Sequence, residues 1–124
     1  MNTVNIEKDI KRHTEALEKL KELAKAKGLQ DNVLFTSTVD IYDTQLKILE
    51  ALAKEIEENG PTVSREYVKG RVNIVINPAI QMYNNTSNSI SKTTATITSI
   101  IKNFEKDTRE AKDPLLAIMG MDDD

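Results

Sequence analysis

The chain has 124 residues and a formal charge of −3, with 39% hydrophobic and 4% aromatic residues, four glycines and no cysteine or tryptophan. That length suits one domain with a modest core, and the missing cysteines exclude disulfides, thiolate metal sites and thiol nucleophiles. No apolar run approaches the roughly 20 residues of a membrane span, and Met1–Lys8 lacks the charge-then-apolar order of a signal peptide, so a soluble cytoplasmic protein with no membrane partner is expected.

Charge is spread unevenly. Residues 1–30 carry seven bases against five acids, and residues 31–60 two against seven. Residues 61–112 carry eight bases against four acids, and residues 113–124 hold four aspartates and no base. Two mildly basic segments thus alternate with an acidic band and an acidic tail. A polyanion partner requires the basic parts to share a face.

Helix one is expected from about Thr3 to Lys27. Ile6, Ile10, His13, Leu17, Leu20 and Ala24 step by four and three, Leu23 widens the stripe, and Gly28 ends it. Helix two should begin near Asp31 and stop before Asn59-Gly60-Pro61. Its apolar positions are Val33, Leu34, Val39, Tyr42, Leu46, Leu49, Ala53 and Ile56. The run Thr36-Ser37-Thr38 marks a weak point where Thr38 can recap the helix.

Between about 62 and 77 the pattern turns to strands. Val72, Ile74 and Ile76 alternate with Asn73 and Val75, and Lys69-Gly70 supplies turn chemistry, which predicts a β-hairpin. Asn77-Pro78-Ala79 then opens a third helix running to about Ala111, because Asn caps and Pro suits the first helical position. Its seam is Ile80, Tyr83, Ser87, Ile90, Thr94, Ile97, Ile101 and Phe104. From Asn84 to Ser99, however, twelve of sixteen residues are Ser, Thr or Asn. Such residues are mediocre helix formers, so this helix needs packing partners. Copies of the chain are expected to supply some of them. Asp113-Pro114 breaks the chain, and Pro114 to Met119 reads as a short apolar helix before the acidic tail. The fold class is therefore mainly α with one β-hairpin between helices two and three. The long helices carry coiled-coil-like seams. Residues 1–112 are expected to form the main domain, and 113–124 either an appended docking segment or a short helix that folds back on the chain's own core ahead of a solubilising tail.

Catalytic signatures are scarce. His13 is the only histidine and has no Cys or His companion, so it reads as a packing or boundary residue. The isolated glycines cannot build a phosphate-cradling loop. Asp40 and Asp43, with Glu50, Glu55, Glu57 and Glu58, read as a solvated acidic face. The competing reading is a metal-dependent hydrolase centred on Asp40 and Asp43. The segment Leu17 to Val33 only loosely suggests a helix–turn–helix. Bases fall into two groups: Lys8, Lys11, Arg12, Lys19, Lys21, Lys25 and Lys27 on helix one, interleaved with glutamates, and Arg65, Lys69 and Arg71 around the hairpin turn. Of these, Lys8, Lys11, Arg12, Lys19, Arg65, Lys69 and Arg71 are the candidate phosphate contacts.

The order of parts carries a resemblance. A helical pair ends in Asn59-Gly60, and a hairpin follows with Tyr67-Val68-Lys69-Gly70-Arg71. Then come Asn77-Pro78-Ala79, Tyr83 and a long Ser/Thr-rich helix, with Asp113-Pro114-Leu115-Leu116 near an acidic end. Over about residues 38–120 this resembles the small terminase subunits of tailed phages and prophages. The resemblance implies a non-enzymatic protein without cofactors that assembles into a ring and binds double-stranded viral DNA. It also implies recruitment of the large terminase subunit, which carries the ATPase and nuclease. Subunits would then associate through Ile6, Ile10, Leu17, Tyr83, Ile90, Ile97, Ile101 and Phe104. Leu115, Leu116, Ile118 and Met119 would dock the large subunit. Relatives often open with a basic, proline-containing arm, whereas this chain opens with a mixed-charge helix. The alternative is a coiled-coil scaffold or adaptor that binds no nucleic acid.

Overall fold

A computed structural model describes residues 3–112. It contains helices α1 (Thr3–Ala26), α2 (Val33–Asn59) and α3 (Pro78–Lys112), with strands β1 (Thr62–Val68) and β2 (Arg71–Ile76) between α2 and α3. The expected hairpin and three helices are all present. The short helix and docking residues expected in 113–124 lie outside the described residues.

Local chemistry sets the ends. Gly28 adopts φ +80°, and the N–H groups of Gly28 and Leu29 turn back to the carbonyls of Lys25 (3.2 Å) and Ala24 (2.8 Å). This is a Schellman closure, completed by burial of Leu29 beside Ala24. Asn32 then caps α2 by accepting a hydrogen bond from the Phe35 N–H at 3.0 Å. The expected break at Thr36–Thr38 does not occur. Thr36 and Thr38 instead donate to the carbonyls of Val33 (3.2 Å) and Leu34 (2.8 Å), so the hydroxyls are satisfied within a continuous helix.

The three helices form an up-down-up bundle. Asp9 meets Tyr83 and Ser87, and Lys27 pairs with Glu105, so α1 and α3 run parallel. Between them α2 runs the other way and packs most extensively on α3. The core joins Ile6, Leu17 and Ala24 of α1 to Phe35, Val39, Tyr42, Leu46, Leu49, Ala53 and Ile56 of α2 and to Ala79, Tyr83, Ile90, Ile97 and Ile101 of α3. One correction concerns helix two. Val33 and Leu34 point outward, while Phe35 and Thr38 take the inward positions. The helical phase is set by the Asn32 cap and by Tyr42, which leaves 33 and 34 on the far side.

The Ser/Thr-rich helix uses its expected seam to pack on this chain's own α2 and α1. Thr86, Ser89, Ser91, Thr93, Thr94, Thr96 and Thr98 each donate to the carbonyl four residues earlier, at 2.8–3.3 Å. Back-bonding spends the hydroxyls locally, and the buried isoleucines hold the helix in place.

The hairpin pairs antiparallel, with Thr62 opposite Ile76, Val63 opposite Val75 and Ser64 opposite Ile74. Its turn, at Lys69-Gly70, uses φ +85° at Gly70. Asn77 fastens the base: its Nδ2 donates to the Gly60 carbonyl (2.9 Å) and its N–H to the Pro61 carbonyl (2.8 Å). The Asn77 Oδ1 accepts from the Ala79 N–H (3.0 Å), capping α3. Contact between hairpin and helices is otherwise sparse.

Candidate functional site

Three features of the described residues carry chemistry: a polar layer between α1 and α3, the hairpin, and the basic residues. In the first, Asp9 Oδ2 accepts from the Tyr83 hydroxyl (2.7 Å) and the Ser87 hydroxyl (3.1 Å), and Asp9 Oδ1 accepts from Arg12 (2.6 Å). His13 Nε2 stands 3.0 Å from Ser87 Oγ. With the Ser87 proton directed at Asp9, Nε2 is the donor and Ser87 Oγ the acceptor. Tyr42, fully buried, donates to the His13 backbone carbonyl at 2.7 Å.

A serine, a histidine and an aspartate thus meet, but they do not form a nucleophilic triad. In a triad the histidine accepts the serine proton and the carboxylate holds the opposite ring nitrogen. Here the carboxylate takes the serine proton itself and lies 3.5 Å from the same nitrogen, Nε2. Ser87 also sits in mid-helix, where neighbouring N–H groups are committed to the helix and cannot form an oxyanion hole. Burial lowers the His13 pKa despite the Asp9 charge, so the imidazole is neutral at neutral pH. For Asp9, burial acts upward, but hydrogen bonding from Tyr83, the neighbouring His13, Ser87 and Arg12 together hold the carboxyl below its ordinary value. Burial and the Asp9 contact push the Tyr83 phenol up. The layer clamps α1 onto α3, beneath an open cleft of about 400 Å³ lined by Asn5, Asp9, Asn84 and Asn88 among others. Its trace in the sequence was a pair of polar interruptions, His13 and Ser87, in two otherwise apolar seams. Asp9 and Tyr83 as partners were missed because they are 74 residues apart.

The hairpin is unusual in what it exposes. Val72, Ile74 and Ile76 share one face, as the alternation predicted, and are 61%, 76% and 73% exposed. Thr62 and Ser64 lie beside them on the partner strand. Val63 and Val75 occupy the opposite face and are half-buried. Lys69 and Arg71 are exposed at the tip, and Arg65 lies on β1 opposite Asn73 in the register.

Lys8, Lys11, Arg12 and Lys19 are all exposed, but acids accompany them. Lys11 lies 4.0 Å from Glu15, Arg12 bonds Asp9, and Glu15 and Glu22 share the outward face with Lys8 and Lys19. The N-terminal half of α1 is at the hairpin end of the bundle, since Asp9 contacts the second turn of α3. Even so, a strand of seven residues at about 3.3 Å each holds the hairpin tip some 20 Å beyond its base. Lys8, Lys11 and Arg12 therefore share an end of the molecule with the hairpin bases without merging into one patch, and Lys19 lies further along α1.

The residues expected at a subunit interface pack within the chain itself. Ile6, Leu17, Tyr83, Ile90, Ile97 and Ile101 are buried in the chain's own core, with Ile10 and Phe104 packed against it. Intramolecular packing of α1 and α3 around α2 consumes both seams. Asp43 faces Lys21 at 4.0 Å, and among the described residues no cluster of three or more His, Cys, Asp or Glu side chains could hold a metal ion. No described helix is long and apolar enough to cross a membrane. No protein-family model, curated protein or solved structure matches the chain.

Proposed function

We propose that the chain is a non-enzymatic assembly subunit of the small-terminase kind. In this reading it self-associates, contacts duplex DNA through the hairpin tip, and presents residues 113–124 to a large packaging subunit. The supporting observation is the hairpin itself. It stands off a bundle whose core is already closed, carries Lys69 and Arg71 at its tip and leaves Val72, Ile74 and Ile76 uncovered. A two-stranded hairpin is marginal on its own in water, and an apolar face on it is stabilised when a partner covers it.

Fluorescence anisotropy with a labelled duplex tests the DNA contact. Two phosphates neutralised per chain give a slope of about −1.8 in log affinity against log salt, or roughly a tenfold loss between 50 and 200 mM. Lys69→Glu with Arg71→Glu should abolish that dependence along with most of the binding. Unchanged binding by the double variant would refute the tip as the contact. The second reading, a protein-only adaptor, is favoured by one observation: the exposed face of the hairpin is apolar, while the α1 bases are offset by neighbouring acids. It predicts no binding to any duplex at 50 mM salt.

A further inference from the structure

With the expected seams buried, a different face is open. Leu34, Ile41 and Ile48 recur every seven residues on α2 and are 63%, 53% and 46% exposed. Ser37, Thr44 and Ala51, also exposed, fall between them at alternating steps of three and four. Together they make an uncovered a/d seam with large residues at a and small ones at d. At about 1.5 Å per residue it runs roughly 26 Å along α2. It lies on the far side of the helix from Tyr42, Leu46 and Leu49, so the core does not use it.

We propose that this seam pairs with the same seam of a second copy, antiparallel, about a two-fold axis between Ile41 and Thr44. The register follows from matching large to small. Setting Ile41 against Thr44 of the second copy also sets Leu34 against Ala51 and Ile48 against Ser37, so every layer joins an aliphatic residue to a small one. A two-fold repeats each contact from the other side. Charge selects the same register independently. Asp40 and Lys47 flank the seam on one edge, and antiparallel pairing places Asp40 of each copy beside Lys47 of the other. Within one chain they are seven residues apart, about 10 Å along the helix, too far to pair with each other. Among the described residues neither takes part in an ion pair. A parallel arrangement would instead set Asp40 against no base and Leu34 against Leu34. The occupant chosen is a second copy because seam and flanking charges are self-complementary in one register. The inference rests on the self-association in the proposed function, but not on DNA binding.

The test uses the full chain, which has no cysteine of its own. Sedimentation equilibrium should show a dimer or a multiple of one, and Ile41→Lys should shift it to smaller species with helical circular dichroism unchanged. Asp40→Lys alone should weaken association at least several-fold, and adding Lys47→Asp should restore it. Leu34→Cys mixed with Ala51→Cys should form an inter-chain disulfide under mild oxidation, while Leu34→Cys alone should not. A chain that stays monomeric at hundreds of micromolar overturns the proposal, and protection of Ile41 in that monomer would mean residues 113–124 cover the face. Self-linking of Leu34→Cys overturns it too, while leaving the wider assembly reading standing. An oligomer insensitive to Ile41→Lys has the same consequence. Loss of DNA binding at the hairpin tip bears on the proposed function alone.

Discussion

Replacing Tyr83 with phenylalanine asks whether a buried carboxylate holds α1 against α3. The ring is buried and the substitution keeps it, so only the hydroxyl donating 2.7 Å to Asp9 Oδ2 is lost. A hydrogen bond to a charged group is worth about 1.5–3 kcal/mol, and its loss here is softened because Asp9 keeps Ser87 and Arg12 and its side chain is 20% exposed. The expected cost is about 1–2 kcal/mol at pH 7, or a fall in Tm of roughly 4–8 °C for a chain of this size. The sign with pH is definite. Asp9 is held below its ordinary 3.8, so its contribution is present above that value and disappears as pH falls through the folded pKa. The deficit of the Tyr83→Phe variant should therefore shrink on acidification to about pH 3. Urea unfolding followed by circular dichroism at both pH values gives the comparison, and Asp9→Asn completes a double-mutant cycle. A deficit under about 0.5 kcal/mol at pH 7, or one that does not change with pH, would show that the contact contributes nothing through the carboxylate.

Three further outcomes are expected. Ile90→Ala empties a fully buried position at the α3 seam and should cost about 2–4 kcal/mol by urea unfolding, whereas Ile74→Ser on the exposed hairpin face should cost the single chain under about 0.5 kcal/mol. Asn77→Ala removes both the α3 cap and the tie to the Gly60 carbonyl, so about 1–2 kcal/mol should be lost and hydrogen exchange should quicken first in the hairpin. Because burial lowers the His13 pKa below its ordinary 6.5, stability is complete above that value and declines as pH falls through the folded pKa. His13→Gln should flatten the decline between pH 7 and 5, measured as the urea midpoint.

Element positions were legible because their determinants are local. Gly28, Asn59-Gly60-Pro61, Lys69-Gly70 and Asn77-Pro78 act through the backbone conformations they permit, and each stands at a boundary in the structure. The seam of α3 was legible for the same reason: a period of three and four survives whatever surrounds it. The continuity of α2 through Thr36–Thr38 was not, because it depends on hydroxyls bonding back to Val33 and Leu34 and on Thr38 being buried.

The sequence alone determined which residues are apolar, how they repeat and where the chain must turn, since these follow from side-chain chemistry and backbone freedom. Only the tertiary structure decided which stripe faces which. It turned the α1 and α3 seams inward around α2, joined Asp9 to Tyr83 across 74 residues, and left Leu34, Ile41, Ile48, Val72, Ile74 and Ile76 uncovered. The reason is that periodicity makes a stripe sticky without naming its partner. The partner is chosen by how three helices and two short connections can close around one core.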